Sequence, residues 1–148
     1  MCIIIDINIA GRVLTTDSDP DFGIVHACLF TGKPHNVRLV YGGKKFLTEY
    51  SKNHSVARIV AALDRAGKAF KIDDDLVDNE EEVIKISGLC SADDEHIIAL
   101  ARVSNVRLLC SHDKGLHGDF TDKRLLNSPR GKVYQNTSHN DLLRRFCK

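Results

Sequence analysis

No stretch of this sequence approaches the ~20 consecutive apolar residues that a membrane-spanning helix needs. No CxxC pair occurs among its five cysteines, Cys2, Cys28, Cys90, Cys110 and Cys147. Their odd count and wide spacing argue for reduced thiols in a cytosolic protein, mostly buried as small hydrophobes, and against a cysteine zinc site. There is no internal repeat, no low-complexity tract and no linker-like stretch, so 148 residues predict a single domain. The opening MCIIIDIN carries no basic leader and its apolar run breaks at Asp6, which predicts a first strand and not a signal peptide. What is present is ordinary globular composition, with 43 % apolar and 28 % charged residues. That excludes disorder, collagen or coiled coil as a description of the whole chain.

The formal net charge of +1 hides an asymmetry. Residues 73–95 hold ten acids and a single base, Lys85, a net of −9, which leaves +10 on the remainder. A basic body beside concentrated carboxylates suits a polyanionic partner, although charge runs most often form solvated faces.

Hydrophobic patterning gives strands alternating with helices. Residues 2–7 read as a strand buried on both faces, the pattern of a parallel sheet. Asp19-Pro20-Asp21 reads as a helix start, with Phe22, Val25, His26 and Leu29 as the apolar stripe and Gly32 as the stop. Residues 37–41 form a strand, Gly42-Gly43 turn the chain, and a helix follows to about residue 51. Val56, Ile59, Val60 and Leu63 mark a helix over 55–66, stopped by Gly67. Residues 69–72 are a strand, 73–79 an acidic connection, and 80–86 helical. The clearest helix spans 91–104, followed by a strand at 106–111, a loop with a short helix over 112–131, and a strand at 132–136. Ser138 then caps a C-terminal helix. This order predicts an α/β three-layer sandwich with a central, mainly parallel sheet of four to five short strands.

Open parallel sheets bind ligands beyond the carboxyl ends of their strands. Two apolar strands run into acids at that edge, the first into Asp6 and the other into Ser111-His112-Asp113. An acid there is costly unless it meets water, a cation or a hydrogen-bond donor; a plain helix cap is the structural alternative for Asp6. Asp94 precedes Ile97, Ile98 and Ala101 by three, four and seven residues, so it shares the inward face of its helix. The competing role is a capping box, Ser91-x-x-Asp94. Glu49 follows the Gly42-Gly43 turn and is otherwise a solvated surface residue; Asp119 and Asp122 are otherwise turn formers. Carboxylates converging from separate elements call for a hard divalent cation, Mg²⁺ or Mn²⁺, which in turn serves phosphodiester hydrolysis. Lys44, Lys45, Lys52 and Arg58 are among the bases available for phosphate contacts.

The strand ending in Asp6, the Tyr41-Gly42-Gly43 turn leading to Glu49, Asp94-x-x-Ile97-x-Ala99-x-Ala101, and Leu108-Leu109-Cys110-Ser111-His112-Asp113-x-x-Leu116 resemble the PIN-domain family in order and spacing over residues 2–120. The Asp94 helix followed by a strand and Ser-x-Asp is the most specific part. The resemblance implies a Mg²⁺- or Mn²⁺-dependent endoribonuclease acting on single-stranded RNA, with DNA as the other substrate class. It also implies a toxin-like role with an antitoxin protein as partner, a homodimer, and a cytoplasmic location. Carried over residue by residue, Asp6, Glu49, Asp94 and Asp113 form the acidic quartet. Ser111 becomes the small hydroxyl residue that, with Lys44 and Lys45, contacts substrate. Asp119 resembles an additional metal-binding acid. Asp93 competes with Asp94, and the register to Ile97 and Ala101 selects Asp94.

Three other readings compete. A haloacid-dehalogenase-like phosphatase would use Asp6 as nucleophile and Asp119 on a metal, but it needs an acid two residues after the nucleophile, where this chain has Asn8. A zinc site could be drawn from His112, His117 and Asp119, without a recognised spacing. A catalytically inactive binding module of the same fold would keep the acids as caps.

Overall fold

Ile3, Ile4 and Ile5 have no exposed surface, and they form the middle of the fold. The computed structural model describes residues 1–147. In chain order the elements begin with β1 (Ile4–Ile5), α1 (Ile7–Leu14), α2 (Gly23–Thr31), β2 (Leu39–Gly42), α3 (Lys44–Ser51), α4 (His54–Arg65) and β3 (Ala69–Ile72). There follow α5 (Asp74–Ser87), α6 (Glu95–Ser104), β4 (Leu108–Cys110), α7 (Lys114–Phe120), β5 (Lys132–Tyr134), a 3-10 turn at Thr137–His139 and α8 (Asn140–Phe146). No helix of the described residues is long and apolar enough to cross a membrane.

Every strand pairing is parallel. β1 and β5 flank β4, with Ile4 opposite Leu109 and Leu109 opposite Val133. β2 pairs with β3 along its whole length, Leu39 opposite Ala69 through Gly42 opposite Ile72. The expected single sheet of four to five strands is thus resolved as ladders of three and two strands. One parallel bridge, Ile3 opposite Leu39, joins them, and the Val40 N–H donates to the Ile3 carbonyl at 2.9 Å. The expected α/β class holds.

Some boundaries differ from the sequence reading, for local reasons. The first strand stops at Ile5, because the Asp6 carboxylate accepts the Asn8 N–H and starts α1, a helix the apolar run had concealed. Residues 74–79 are helical and not a connection. The Asp73 side chain accepts the N–H groups of Asp75 and Leu76, and Asp74 and Asp75 occupy the first turn of α5, where the helix dipole favours acids. Ser138 does not cap α8: it lies in the 3-10 turn, which the Asn136 side chain caps by accepting the Ser138 N–H, and α8 itself starts after His139 with no side-chain cap.

The cysteine expectation is corrected as well. Cys2 and Cys147 form a disulfide, their Cα atoms 5.4 Å apart across 145 residues of sequence. Spacing along the chain says nothing about two ends that the fold brings together. Cys28, Cys90 and Cys110 are free thiols.

Candidate functional site

At the carboxyl edge of the strands the chain turns into helices through acidic residues. Asp6 leaves β1 and caps α1 with Oδ1, while its Oδ2 accepts the Ser111 hydroxyl at 3.0 Å. The same hydroxyl oxygen accepts the Asp113 N–H at 3.0 Å. Asp113 in turn caps α7, taking the Leu116 N–H at 3.1 Å. One serine therefore ties the end of β1 to the end of β4. Ser111 is 0 % exposed, so it positions the two acids and cannot touch a substrate as the resemblance implied.

A cleft of about 410 Å³ opens at this edge, and Asp6, Glu49, Asp94 and Asp113 all line it. They arrive from the ends of β1 and β4, from α3, and from the position preceding α6. Lys52, Asn53, Asp93 and His96 share the lining. Lys45 reaches the rim by pairing with Asp93 at 3.0 Å. Lys44 is not among the lining residues; its backbone N–H and its ammonium both go to Asp78 on α5.

Asp94 is the most unusual of these acids. It occupies the cap position of α6, yet its side chain makes no capping bond, and neither carboxylate oxygen has a hydrogen-bond partner. The capping-box alternative fails because the Ser91 hydroxyl and N–H both go to Asp119, each at 2.9 Å. Burial, and then the adjacent Asp119 carboxyl, push the Asp94 carboxyl up to about 8. Asp6 is also raised, mainly by burial; its bonds from Asn8 and Ser111 oppose the shift, and the charges of Asp113 and Glu49 add to it. Both results follow from removing like charges from water.

Asp119 does not line the cleft. It is buried and holds the segment before α6 by accepting the Ser91 N–H, the Ser91 hydroxyl and the Ala92 N–H. His96, which sequence reasoning missed, is buried with Nε2 3.3 Å from Glu49 Oε2, and its Nδ1 has no partner. Burial lowers its pKa, against the raising influence of Glu49. The one sequence signal for His96 is its place directly after Asp93-Asp94-Glu95.

The competing constellations are not assembled. His112 Nε2 lies 2.8 Å from the Gln135 carbonyl and its Nδ1 3.1 Å from Arg12, while His117 sits between the Ser111 carbonyl and the Gln135 amide. These two histidines and Asp119 do not gather around a common point. Asn8 donates its backbone N–H to the Asp6 carboxylate, and no acid stands at that position. Among the described residues, the metal-ligating side chains that bring their donor atoms within 4.8 Å of one another are Cys90, Asp94 and Asp119. The cleft acids surround a wider space. Comparison with protein-family models, with curated proteins and with solved structures finds no match to this chain, so the PIN-domain likeness rests on its motifs alone.

Proposed function

We propose that the protein is a metal-dependent endoribonuclease that hydrolyses phosphodiester bonds in single-stranded RNA. The observation that carries this reading is a cleft at the carboxyl ends of parallel strands where Asp6, Glu49, Asp94 and Asp113 meet, with both Asp94 oxygens left without a donor. A buried carboxylate without a donor needs a cation or a proton. Asp6, Asp94 and Asp113 are the residues that would hold Mg²⁺ or Mn²⁺. When bound, such an ion activates water and neutralises charge on the phosphodiester.

The protein's own groups divide the remaining work. Ser111 keeps Asp6 and Asp113 in register. Glu49, braced by His96, adds negative charge at the wall, and Lys45 and Lys52 at the rim meet the RNA backbone. No cysteine lines the cleft, so nothing there suggests a thiol nucleophile. We read the two ladders as one sheet in the order β3-β2-β1-β4-β5, continuous through the Ile3–Leu39 bridge and covered by helices on both faces. An inhibitor protein, if the chain is a toxin, would place an Arg or Lys among the cleft acids.

The test is incubation of labelled single-stranded RNA and DNA with Mg²⁺, with Mn²⁺ and with EDTA. RNA cleavage that requires metal, leaves 5′-phosphate and 3′-hydroxyl ends, and disappears in Asp6→Asn and Asp113→Asn is the expected result. Cleavage in EDTA with a 2′,3′-cyclic end would overturn the mechanism, and no cleavage under any condition would remove the enzymatic reading.

A further inference from the structure

Asp94 also belongs to a second group of donors, one that the cleft does not explain. The Cys90 sulfur and one oxygen each of Asp94 and Asp119 lie within 4.8 Å of one another. Asp94 is 6 % exposed and Asp119 3 %. The charge of Asp119 is compensated by donors from Ser91 and Ala92, whereas Asp94 beside it has none. Buried beside a second carboxylate and without a donor, Asp94 needs either a proton or a cation, and the Cys90 thiol stands beside it as a third donor. Oxygen-seeking ions such as Mg²⁺ have no use for sulfur, while Zn²⁺ and its congener Cd²⁺ take Cys, Asp and water together.

We propose that Cys90, Asp94 and Asp119 form a binding site for a thiophilic divalent cation, Zn²⁺ by its chemistry, with water completing the tetrahedron. Tetrahedral zinc with sulfur at ~2.3 Å and oxygen at ~2.1 Å sets its donors about 3.5 Å apart. The donor atoms lie within 4.8 Å of one another, at most about 1.3 Å wider than that, and Asp94, which no donor holds, is the side chain free to close on Asp119. Binding forms the sulfur–metal and carboxylate–metal bonds and releases to solvent both the thiol proton and the proton that the Asp94 carboxyl carries at neutral pH. The lack of any CxxC pair does not argue against this site, because its donors come from the loop before α6 and from α7, 25 residues or more apart in the case of Asp119. The proposal goes beyond the nuclease reading and needs no RNA cleavage to be true.

Among the described cysteines, Cys2 and Cys147 are bonded to each other, Cys28 and Cys110 are wholly buried, and Cys90 is the partly exposed free thiol. The experiment therefore titrates Cd²⁺ alone into the metal-free full chain and follows sulfur-to-metal charge-transfer absorption. One Cd²⁺ per chain should saturate the band. Zn²⁺ should displace it, and a large excess of Mg²⁺ should not. Cys90→Ser should abolish the band, and Asp119→Asn should weaken Cd²⁺ affinity at least about tenfold. Should either variant fold poorly, as judged by its melt in EDTA, alkylation of Cys90 in the wild-type chain replaces it, and bound Zn²⁺ should protect that thiol. No band in the folded wild type, a band that survives loss or alkylation of Cys90, or displacement by Mg²⁺ as readily as by Zn²⁺ would overturn the site.

Discussion

At Asp94, ionisation and folding work against each other. The group ionises near 3.8 in an unfolded chain and only near 8 in the folded one. Between those values the unfolded state has released a proton that the folded state still holds, so stability falls as pH rises through the window and levels off above it. In metal-free buffer, Asp94→Asn should remove this fall. The variant should resist denaturant better than wild type at pH 8, and the difference should shrink toward pH 4. A difference that does not change with pH would mean that Asp94 is not perturbed. The neighbouring Ser111 works in the opposite sense. Ser111→Ala leaves the Asp113 N–H and an Asp6 oxygen without their shared partner, a loss of about 1–3 kcal/mol that denaturant midpoints will show.

At the scale of elements, the turn between β2 and α3 aims Glu49 at the cleft. Gly42 has φ +148°, and a Cβ there would meet the Ile72 carbonyl oxygen at 2.5 Å, a main-chain atom held in the β2–β3 ladder. Gly67, at the end of α4, also has a positive φ, +73°, but a Cβ there meets nothing within 4 Å. Gly67→Ala should therefore cost roughly 1 kcal/mol, the backbone term alone. Gly42→Ala should cost roughly 3 kcal/mol or more, because strain and collision add. Equal losses in the two variants would show that the collision relaxes away. The Gly42-Gly43 turn was legible in the sequence because glycine pairs between apolar runs have a local meaning, and β3 was read with its observed limits because Gly67 ends the helix before it and an acidic run follows it. α1 was not legible. Its residues continue the apolar run of β1, and Asn8 and Gly11 look like breakers until Asp6 is known to cap. α5 was half legible: its acids resemble a solvated loop, and only the buried Val77, Glu81 and Ile84 reveal the helical face.

The site itself was legible wherever one element decides a residue's place, and illegible wherever two distant ones must meet. Asp6 and Asp113 stand at the ends of apolar runs, and Asp94 keeps register with Ile97 and Ala101. The pairings of His96 with Glu49, and of Asp119 with Ser91, link segments that no local pattern connects. Crowding those acids together has a consequence for the whole molecule. Like charges at the cleft work against the metal-free fold, and an ion that binds only the folded chain stabilises it by mass action. Millimolar Mn²⁺ should thus raise the melting temperature of the wild type. Asp6→Asn should melt at least as high as wild type without metal and respond less to it. A wild-type melting temperature indifferent to both Mn²⁺ and Mg²⁺ would count against a cation in the cleft.

The two chain ends offer the last whole-molecule test. Cys2 precedes β1 and Cys147 follows α8, so their bond lies at the amino end of the strands, while the cleft lies at the carboxyl end and shares no lining residue with the surface around the bond. Closing a loop of 145 residues restricts the unfolded chain far more than the folded one. Reduction, or Cys147→Ser, should accordingly lower stability by about 2–5 kcal/mol. It should leave the cleft's response to Mn²⁺ unchanged at temperatures where the chain remains folded. Urea unfolding with and without reductant separates the contributions: the wild type should become like the variant once reduced, and the variant should ignore the reductant. If reduction also abolishes the Mn²⁺ response in the folded protein, the two edges are coupled through β1. Ile3 and the two residues of β1, Ile4 and Ile5, are the shortest covalent path between the disulfide and Asp6.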